Sequence, residues 1–589
     1  MSEGQALFEK VLVANRGEIA LRVMRACHEL GIATVAVYGE GELDAPHVRY
    51  ATEAFRIPSS QPLPYLDIPA LIALAQQCGA NAIHPGYGFL AENAEFARAC
   101  GASGITFIGP SPEAIAAMGD KVAARKVART AGAPLVPGSA EPVDADGARA
   151  FGEEYGFPIA LKAAAGGGGR GFRVAWSAAE VNDAFQGASG EAKRYFADDR
   201  VYVERYLDHP RHIEIQVFAD QHGHYAAVGE RDCSIQRRHQ KLIEESPSPA
   251  IDSQTRGRMQ TTAVELAKAV DYVGAGTVEF LYQDGEYFFL EMNTRIQVEH
   301  PVTEMISGID LVSEQIRVAA GAELSFVDVS LRGHAIECRI NAEDAARGFA
   351  PAPGTIGEYR VPAGFGIRVE SAAETGYTIL PHYDSLIAKL IVWGRSRDEA
   401  LGRLRRALND FRVTGVPTTI PFHLAVAHQP AFAAGDYDTR FLDRYPELLA
   451  PQGAAELDGR VDGASEASVE QFIVEVSGKR FDVRVFGDAR EAAPSARRAP
   501  RLNAGNRAAA AGNGRGDVVS PIQGTVLRVA VEAGASVEAG DLICVVEAMK
   551  MENEINAPRA GIVRRISVSA GETVQTGTLI AQIEQPDAD

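Results

Sequence analysis

A handful of residues promise chemistry through type and spacing alone. Glu279 lies in Thr277-Val278-Glu279-Phe280, and Glu291 and Asn293 lie in Phe289-Leu290-Glu291-Met292-Asn293. The turn-like Gln283-Asp284-Gly285-Glu286 between them predicts a hairpin with an acid on each strand. Carboxylates in apolar strands are costly unless paired or bound to a cation. Two carboxylates and an amide oxygen suit a hard divalent ion held with nucleotide phosphates; salt-bridged core acids are the alternative. Next, Arg295, Gln297 and Glu299 alternate through Thr294-Arg295-Ile296-Gln297-Val298-Glu299-His300. In an extended segment they share one face, a cation, an amide and a carboxylate together. Such a trio can hold bicarbonate and take its proton. Upstream, the run from Glu230 to Lys241 is dense in cations, which suits polyphosphate and bicarbonate.

Gly166-Gly167-Gly168-Gly169-Arg170-Gly171 follows the strand-like Pro158–Lys162 and precedes another strand, Gly171–Trp176. Glycine lets backbone N–H groups close on an anion. No Gly-Lys-Ser/Thr follows and no helix comes next, so this is neither a Walker A loop nor a dinucleotide fingerprint. A hairpin lid over nucleotide phosphates fits, with Lys162 adding charge; a purely structural hairpin is the alternative. At the other end, Pro521-x-x-Gly524-Thr-Val526 is repeated as Pro558-x-x-Gly561-Ile-Val563. Gly534, Val537, Gly540 and Leu542 return 37 residues later as Gly571, Val574, Gly577 and Leu579. Two such halves predict a flattened all-β barrel with pseudo-twofold symmetry. Glu547-Ala548-Met549-Lys550-Met551-Glu552 sits between them, presenting the Lys550 amine on a hairpin.

Elements that position these groups read as several domains, as 589 residues require. Val11–Ala14, a helix over Ile19–Leu30 and Thr34–Tyr38 form a βαβ unit, so 1–115 predicts an α/β domain on a parallel sheet. Residues 116–330 hold the metal and lid motifs, the lid spanning about 135–205, and 331–447 continue β-rich. Residues 448–515 contain one hairpin signal, Phe472/Val474/Val476 and Phe481/Val483/Val485, and then a stretch of Ala, Arg, Gly, Asn and Pro. That stretch, from Ala489 to Gly516, reads as a mobile linker; its ~28 residues reach about 90 Å extended and span roughly 30 Å as a coil. The repeat occupies 516–585. Net charge of −20 argues against nucleic-acid binding. The six cysteines form no CxxC pair, so neither a zinc site nor a disulfide framework is expected. Without a membrane-length apolar run or a signal-like amino terminus, the expected location is the cytoplasm.

Together these strings resemble a known family. Asn15-Arg-Gly-Glu-Ile, His84-Pro-Gly-Tyr-Gly-Phe-Leu, Met118-Gly-Asp-Lys121, the glycine loop, Gln236-Arg-Arg-His-Gln-Lys241, Glu291–His300 and Glu337-Cys-Arg-Ile-Asn-Ala-Glu-Asp344 look like biotin carboxylase. Ala548-Met-Lys-Met551 resembles the biotinyl carrier domain, the methionines favouring biotin over lipoate. The whole chain resembles the α subunit of biotin-dependent acyl-CoA carboxylases. The resemblance implies a Rossmann-like amino-terminal domain, an ATP-grasp domain, a β-rich carboxylase carboxy-terminal domain and a biotinyl domain. It implies that Lys121, Lys162, Gly166, Gly167, Gly168, Gly169, Glu204, Arg205, Leu207, His212, Gln236, His239 and Leu281 hold ATP. Glu279, Glu291 and Asn293 would hold Mg2+ or Mn2+. Lys241, Arg295, Gln297 and Val298 would bind bicarbonate, Glu299 would be the general base, and Arg339 would stabilise the ureido oxygen of biotin carried on Lys550. Phe172 stands where the family commonly has Met, and the Gly39-Glu40-Gly41-Glu42 loop departs from its Asp-rich version. No carboxyltransferase region follows Lys550, so a separate carboxyltransferase β subunit is expected, with biotin protein ligase as a second partner and a homo-oligomer within a larger complex. Pyruvate or methylcrotonyl-CoA as acceptor, another ATP-grasp ligase, and an inert carrier are the rival readings.

Overall fold

The computed structural model describes residues 7–61, 63–139, 141–163, 172–196, 199–237, 240–326, 328–449, 467–476, 479–488, 517–520, 524–548, 551–574 and 577–584. Two compact units divide the chain, 1–449 and 450–589. In the first, the strands β1 (Lys10–Val13), β2 (Ala33–Tyr38), β3 (Glu53–Arg56), β4 (Ala82–His84) and β5 (Thr106–Phe107) form a parallel sheet in the order β3-β2-β1-β4-β5. Val11, Leu12 and Val13 are all fully buried, as a strand covered on both faces must be. The helix Gly17–Glu29 returns the chain between β1 and β2, so the expected βαβ unit is present.

Residues 135–205 supply a small antiparallel sheet of β6 (Ile159–Ala163), β7 (Phe172–Ala175) and β8 (Val201–Arg205), in the order β7-β6-β8. Its apolar face packs on the helices Ala145–Tyr155 and Val181–Phe196 through Ala148, Val181, Ala184 and Ala188.

A larger sheet carries most of the chemistry. Its strands are β9 (Arg211–Ala219), β10 (Tyr225–Arg237), β11 (Gln240–Ser246), β12 (Gly274–Gln283), β13 (Glu286–Asn293), β14 (His334–Asn341), β15 (Ile367–Ser371) and β16 (Leu386–Gly394). They run β13-β12-β9-β10-β11-β14-β16-β15. The β11–β14 ladder carries this sheet across the expected boundary at 330/331. The β12–β13 hairpin forms as the turn residues predict: Asp284 and Gly285 adopt φ of 54° and 84°, the mirror-image turn that matches strand twist.

The second unit contains the expected hairpin, Ala467–Val476 paired with Lys479–Asp488. It also contains two four-stranded sheets among the described residues. Gly524–Val529, Ser536–Val537 and Leu542–Ala548 recur 37 residues on as Gly561–Ile566, Thr573–Val574 and Leu579–Glu584, each time in the other sheet. The turn glycines match in kind: Gly534 and Gly571 have φ of 93° and 88°. Gly534 N donates to Val563 O and Gly571 N to Val526 O, both at 2.7 Å, so each half closes a turn on the other. The linker segment 489–516 lies outside the described residues. No helix among the described residues is long and apolar enough to cross a membrane.

Candidate active site and the family of the chain

Lys241, near the start of β11, is the hub. Its Nζ lies 2.6 Å from Glu214 Oε2, 2.9 Å from Glu279 Oε1, 2.7 Å from Glu299 Oε1 and 3.4 Å from Gln297 Oε1. An ammonium has three donors, so four acceptors compete for it. Burial opposes its charge, but the three carboxylates outweigh that and hold its pKa well above the ordinary lysine value. Glu299 immediately precedes the helix His300–Ser307 without a side-chain capping hydrogen bond, and Pro301 fixes the first turn. Its other oxygen accepts from Arg339 Nη2 at 2.9 Å. Burial raises the Glu299 pKa, yet Lys241, Arg339 and Arg231 reverse this and hold the carboxyl well below the usual range.

Arg339 on β14 is gripped from two sides, by Glu299 and by Glu244, which accepts from its Nε at 2.6 Å. Opposite it on β16, the buried Lys389 donates to Val298 O at 2.8 Å and lies 3.2 Å from Glu18 Oε1. Val298 is thus tied to β16 through its carbonyl oxygen.

Glu279 and Glu291 face each other in the β12–β13 ladder, with Asn293 two residues on and on the same face. Asn293 Nδ2 and Gln297 Nε2 each donate to Glu279 Oε1 at 2.9 Å, and His212 Nε2 lies 2.8 Å from Glu279 Oε2. Two carboxylates and an amide on one face are the donor set a hard divalent ion takes, so these residues fit one. Burial lowers the His212 pKa, but Glu279 overrides it and raises the value; Glu279 itself is held well below normal by Lys241 and His212 against its burial.

Arg295 departs from expectation. The segment 294–299 is not extended; it turns toward the helix that begins at His300. Strict alternation therefore fails. Arg295 Nε reaches Glu92 at 2.9 Å and its Nη2 reaches Asn293 Oδ1 at 3.1 Å, while Gln297 and Glu299 turn to Lys241. The cation-rich run also divides. Arg231 is wholly buried, bonding Glu214, Gln216, Thr277 and Thr303, so it braces the sheet and faces no substrate. Gln236 pairs with Lys241 across the β10–β11 ladder.

On the nucleotide side, Lys162 on β6 pairs with Glu204 on β8, and Arg205 reaches Glu286 at 3.1 Å. Leu207 and Leu281 belong to one apolar cluster with Val136 and Phe288. Gly166 to Gly169, His239 and the Lys121 side chain lie outside the described residues. So do Met549 and Lys550; the flanking strands pair up to Ala548 opposite Met551. Sequence reading missed Glu214, Glu244, Glu92 and Lys389. The signal for Glu214 was present: His212, Glu214 and Gln216 put a polar side chain at every second place in an apolar strand.

Comparison with known proteins decides what this arrangement is. Residues 7–115 match the biotin carboxylase N-terminal domain, 120–327 the carbamoyl-phosphate synthase L chain ATP-binding domain, and 337–444 the biotin carboxylase C-terminal domain. Biotin carboxylase 1 of Bacillus subtilis is 53% identical over 445 residues, covering 74% of this chain and 99% of the relative. The chain belongs to the biotin carboxylase family. Residues 516–583 of this biotin carboxylase further match the domain of biotin-requiring enzymes. The biotin-dependent acyl-coenzyme A carboxylase alpha3 subunit of Mycobacterium leprae is 47% identical over 576 residues, 94% of this chain and 95% of the relative. A pyruvate carboxylase subunit of Methanothermobacter thermautotrophicus is 52% identical over 74% of this chain and 90% of the relative. The biotin carboxylase domain dimer of the Hydrogenobacter thermophilus 2-oxoglutarate carboxylase, solved with MgADP, ADP and bicarbonate, superposes with a TM-score of 0.70 at 49% identity, over 75% of this chain and 99% of that one. The enzyme is thus an ATP-grasp ligase that carboxylates biotin with bicarbonate and ATP. Biotin, ATP and Mg2+ are its cofactor set.

Proposed function

We propose that this biotin carboxylase is the biotin-carrying α subunit of an acyl-CoA carboxylase of acetyl- or propionyl-CoA type. Its carboxyltransferase would be a separate β subunit, and biotin protein ligase would load Lys550. The observation that carries this is the reach of the similarity: the alpha3 relative matches through the carrier region, over 94% of the chain, whereas the pyruvate carboxylase subunit matches 74%. The residue roles rest on the resemblance to biotin carboxylase, and the contacts among the described residues support them. Lys162, Glu204, Arg205, Leu207, His212, Gln236 and Leu281, with Lys121, His239 and the loop Gly166–Gly169, hold ATP. Glu279, Glu291 and Asn293 hold the divalent ion, which when bound screens phosphate charge. Lys241, Arg295, Gln297 and the Val298 backbone receive bicarbonate.

Glu299 then acts as base. Held ionised by Lys241, Arg339 and Arg231, it is a weak base until bicarbonate binds. An anion that draws Lys241 toward itself removes one of those cations and raises the proton affinity of Glu299 where bicarbonate needs it. Glu299 takes the bicarbonate proton, and the bicarbonate oxygen attacks the γ-phosphorus, with ADP leaving. Carboxyphosphate breaks into CO2 and phosphate. That phosphate takes the N1 proton of biotin, Arg339 meets the negative charge on the ureido oxygen, and N1 bonds to CO2.

The test is purification with the partner, then supply of ATP, Mg2+, radiolabelled bicarbonate and one acceptor at a time. Acid-stable label should appear with acetyl- or propionyl-CoA. Label only with pyruvate, 2-oxoglutarate or methylcrotonyl-CoA would overturn the assignment.

A further inference from the structure

Two carboxyl groups beside this site have no role so far. Glu244 and Glu337 stand directly opposite each other on β11 and β14, and both are wholly buried. Such register partners point to the same face with Cβ atoms about 4.5–5.5 Å apart. Glu244 Oε1 accepts from Arg339, but Glu244 Oε2 and both Glu337 oxygens have no hydrogen-bond partner among the described residues. Three buried carboxyl oxygens without donors are costly if both groups are ionised. One proton between two facing carboxyls supplies a donor and removes the repulsion.

The surroundings fix how many protons fit. On the same face stand Arg339, two residues from Glu337 on β14, and Lys389, opposite Arg339 on β16. Glu299 approaches over Arg339, and Lys241 lies beyond it. Glu18 faces Lys389. The helix His300–Ser307 covers this face through Val302 and Ile306, which pack on Ala335 and Ile391. Its His300 is kept neutral by burial and by Lys389, Arg22 and Arg368, and its Glu304 pairs with Arg22 and Arg368. The helix Arg397–Asp410 adjoins β14 and β16, where Arg397 pairs with Glu245. Burial pushes Glu244 up to about 7 against the pull of Arg339. Burial and the charge of Glu244 push Glu337 well above the usual range, despite Lys389.

We propose that Glu244 and Glu337 share one buried proton and, with the single negative charge that remains, act as positioning residues that hold the Arg339 guanidinium for the ureido oxygen of biotin. This rests on the reading of Arg339 given above. With one charge on the pair, Arg339 is balanced between Glu244 and Glu299. When Glu299 takes the bicarbonate proton its hold on Nη2 weakens, while Glu244, 2.6 Å from both Nε and Nη2, keeps its own. The guanidinium then loses one of its two competing carboxylates and meets the oxygen anion without losing its place. The shared proton itself does not move. Loss of that proton at high pH would give the pair a second charge and draw Arg339 back.

The test uses the full chain with free biotin. Glu337→Gln leaves Glu244 charged and offers it an amide donor, so it should shift the alkaline fall of kcat/KM for biotin upward by about one pH unit or more. Glu244→Gln removes the anchor and should raise KM for biotin about tenfold, the scale of a lost charge-assisted hydrogen bond, with a smaller change in kcat. Infrared difference spectra should show a protonated-carboxyl band in the parent at neutral pH that is absent from the Glu337→Gln chain. An unchanged alkaline limb, or a band that survives the substitution, overturns the proposal. Should Glu337→Gln fail to fold, the KM shift and band of Glu244→Gln decide. Arg339→Gln tells the two ideas apart: an unchanged KM for biotin there would refute the role of Arg339 itself.

Discussion

Glu299→Gln tests the centre of the site most directly. The carboxylate is fully buried, and its two oxygens meet Lys241 at 2.7 Å and Arg339 at 2.9 Å. Glutamine keeps the volume and one acceptor but turns an NH2 group toward a cation. Breaking a buried ion pair from one side costs about 3–5 kcal/mol. Here both cations keep other partners, Glu214 and Glu279 for Lys241 and Glu244 for Arg339, which places the loss near the lower figure, about 3 kcal/mol. The chain should therefore fold, with a lowered thermal midpoint. A positioned general base contributes about 10²–10⁴-fold, so bicarbonate-dependent phosphate release in the presence of free biotin should fall by that factor. Biotinylation of the carrier domain should be unaffected. A folded variant whose phosphate release drops by less than about tenfold would refute the base assignment.

Other expectations are simpler to state. Lys550→Arg should abolish avidin-detectable biotin; any retained signal would place the attachment elsewhere. Asn293→Ala removes a donor to Glu279 and a proposed metal oxygen, and should raise the Mg2+ needed for half-maximal activity by roughly 10- to 100-fold, as loss of groups that orient ligands does. Glu245 is buried, but hydrogen bonds from His334 and Arg397 overcome that and lower its pKa to about 2. Its stabilisation, about 3 kcal/mol, is fully present above the unfolded carboxyl pKa and is lost as pH falls through about 2. Glu245→Gln should therefore destabilise at neutral pH, and the gap to the parent in denaturant titrations should close on acidification from pH 4.5.

Much of this was legible in the sequence because the signals were local. The β12–β13 hairpin, the βαβ unit over β1 and β2, and the 37-residue repeat each rest on patterns within a few tens of residues. The Lys241 cluster was only half legible. Its acids come from β9, β12 and the start of a helix, and nothing local says that Glu214 and Glu299 converge on one ammonium. Arg231 misled for the same reason: within its cation-rich string it looks like an anion binder, and only the neighbouring strands show it satisfied by Glu214, Gln216 and two threonines. The alternation through Arg295 failed because a helix begins at His300, directly after Glu299, which bends the approach and breaks the period of two.

The reciprocal turns of the carrier region make each half depend on the other. Gly540 N bonds Ala557 O at 2.8 Å, and its counterpart Gly577 N bonds Ser520 O at 2.7 Å, as Gly534 and Gly571 likewise exchange partners. A peptide holding one half alone would lack the acceptors its turns require. Two copies of that peptide would supply each other with all of them. The region therefore has the internal logic of a dimer held within one chain, in which neither half is complete alone. Lys550 stands in the sequence between the two halves, at a place the repeat does not duplicate.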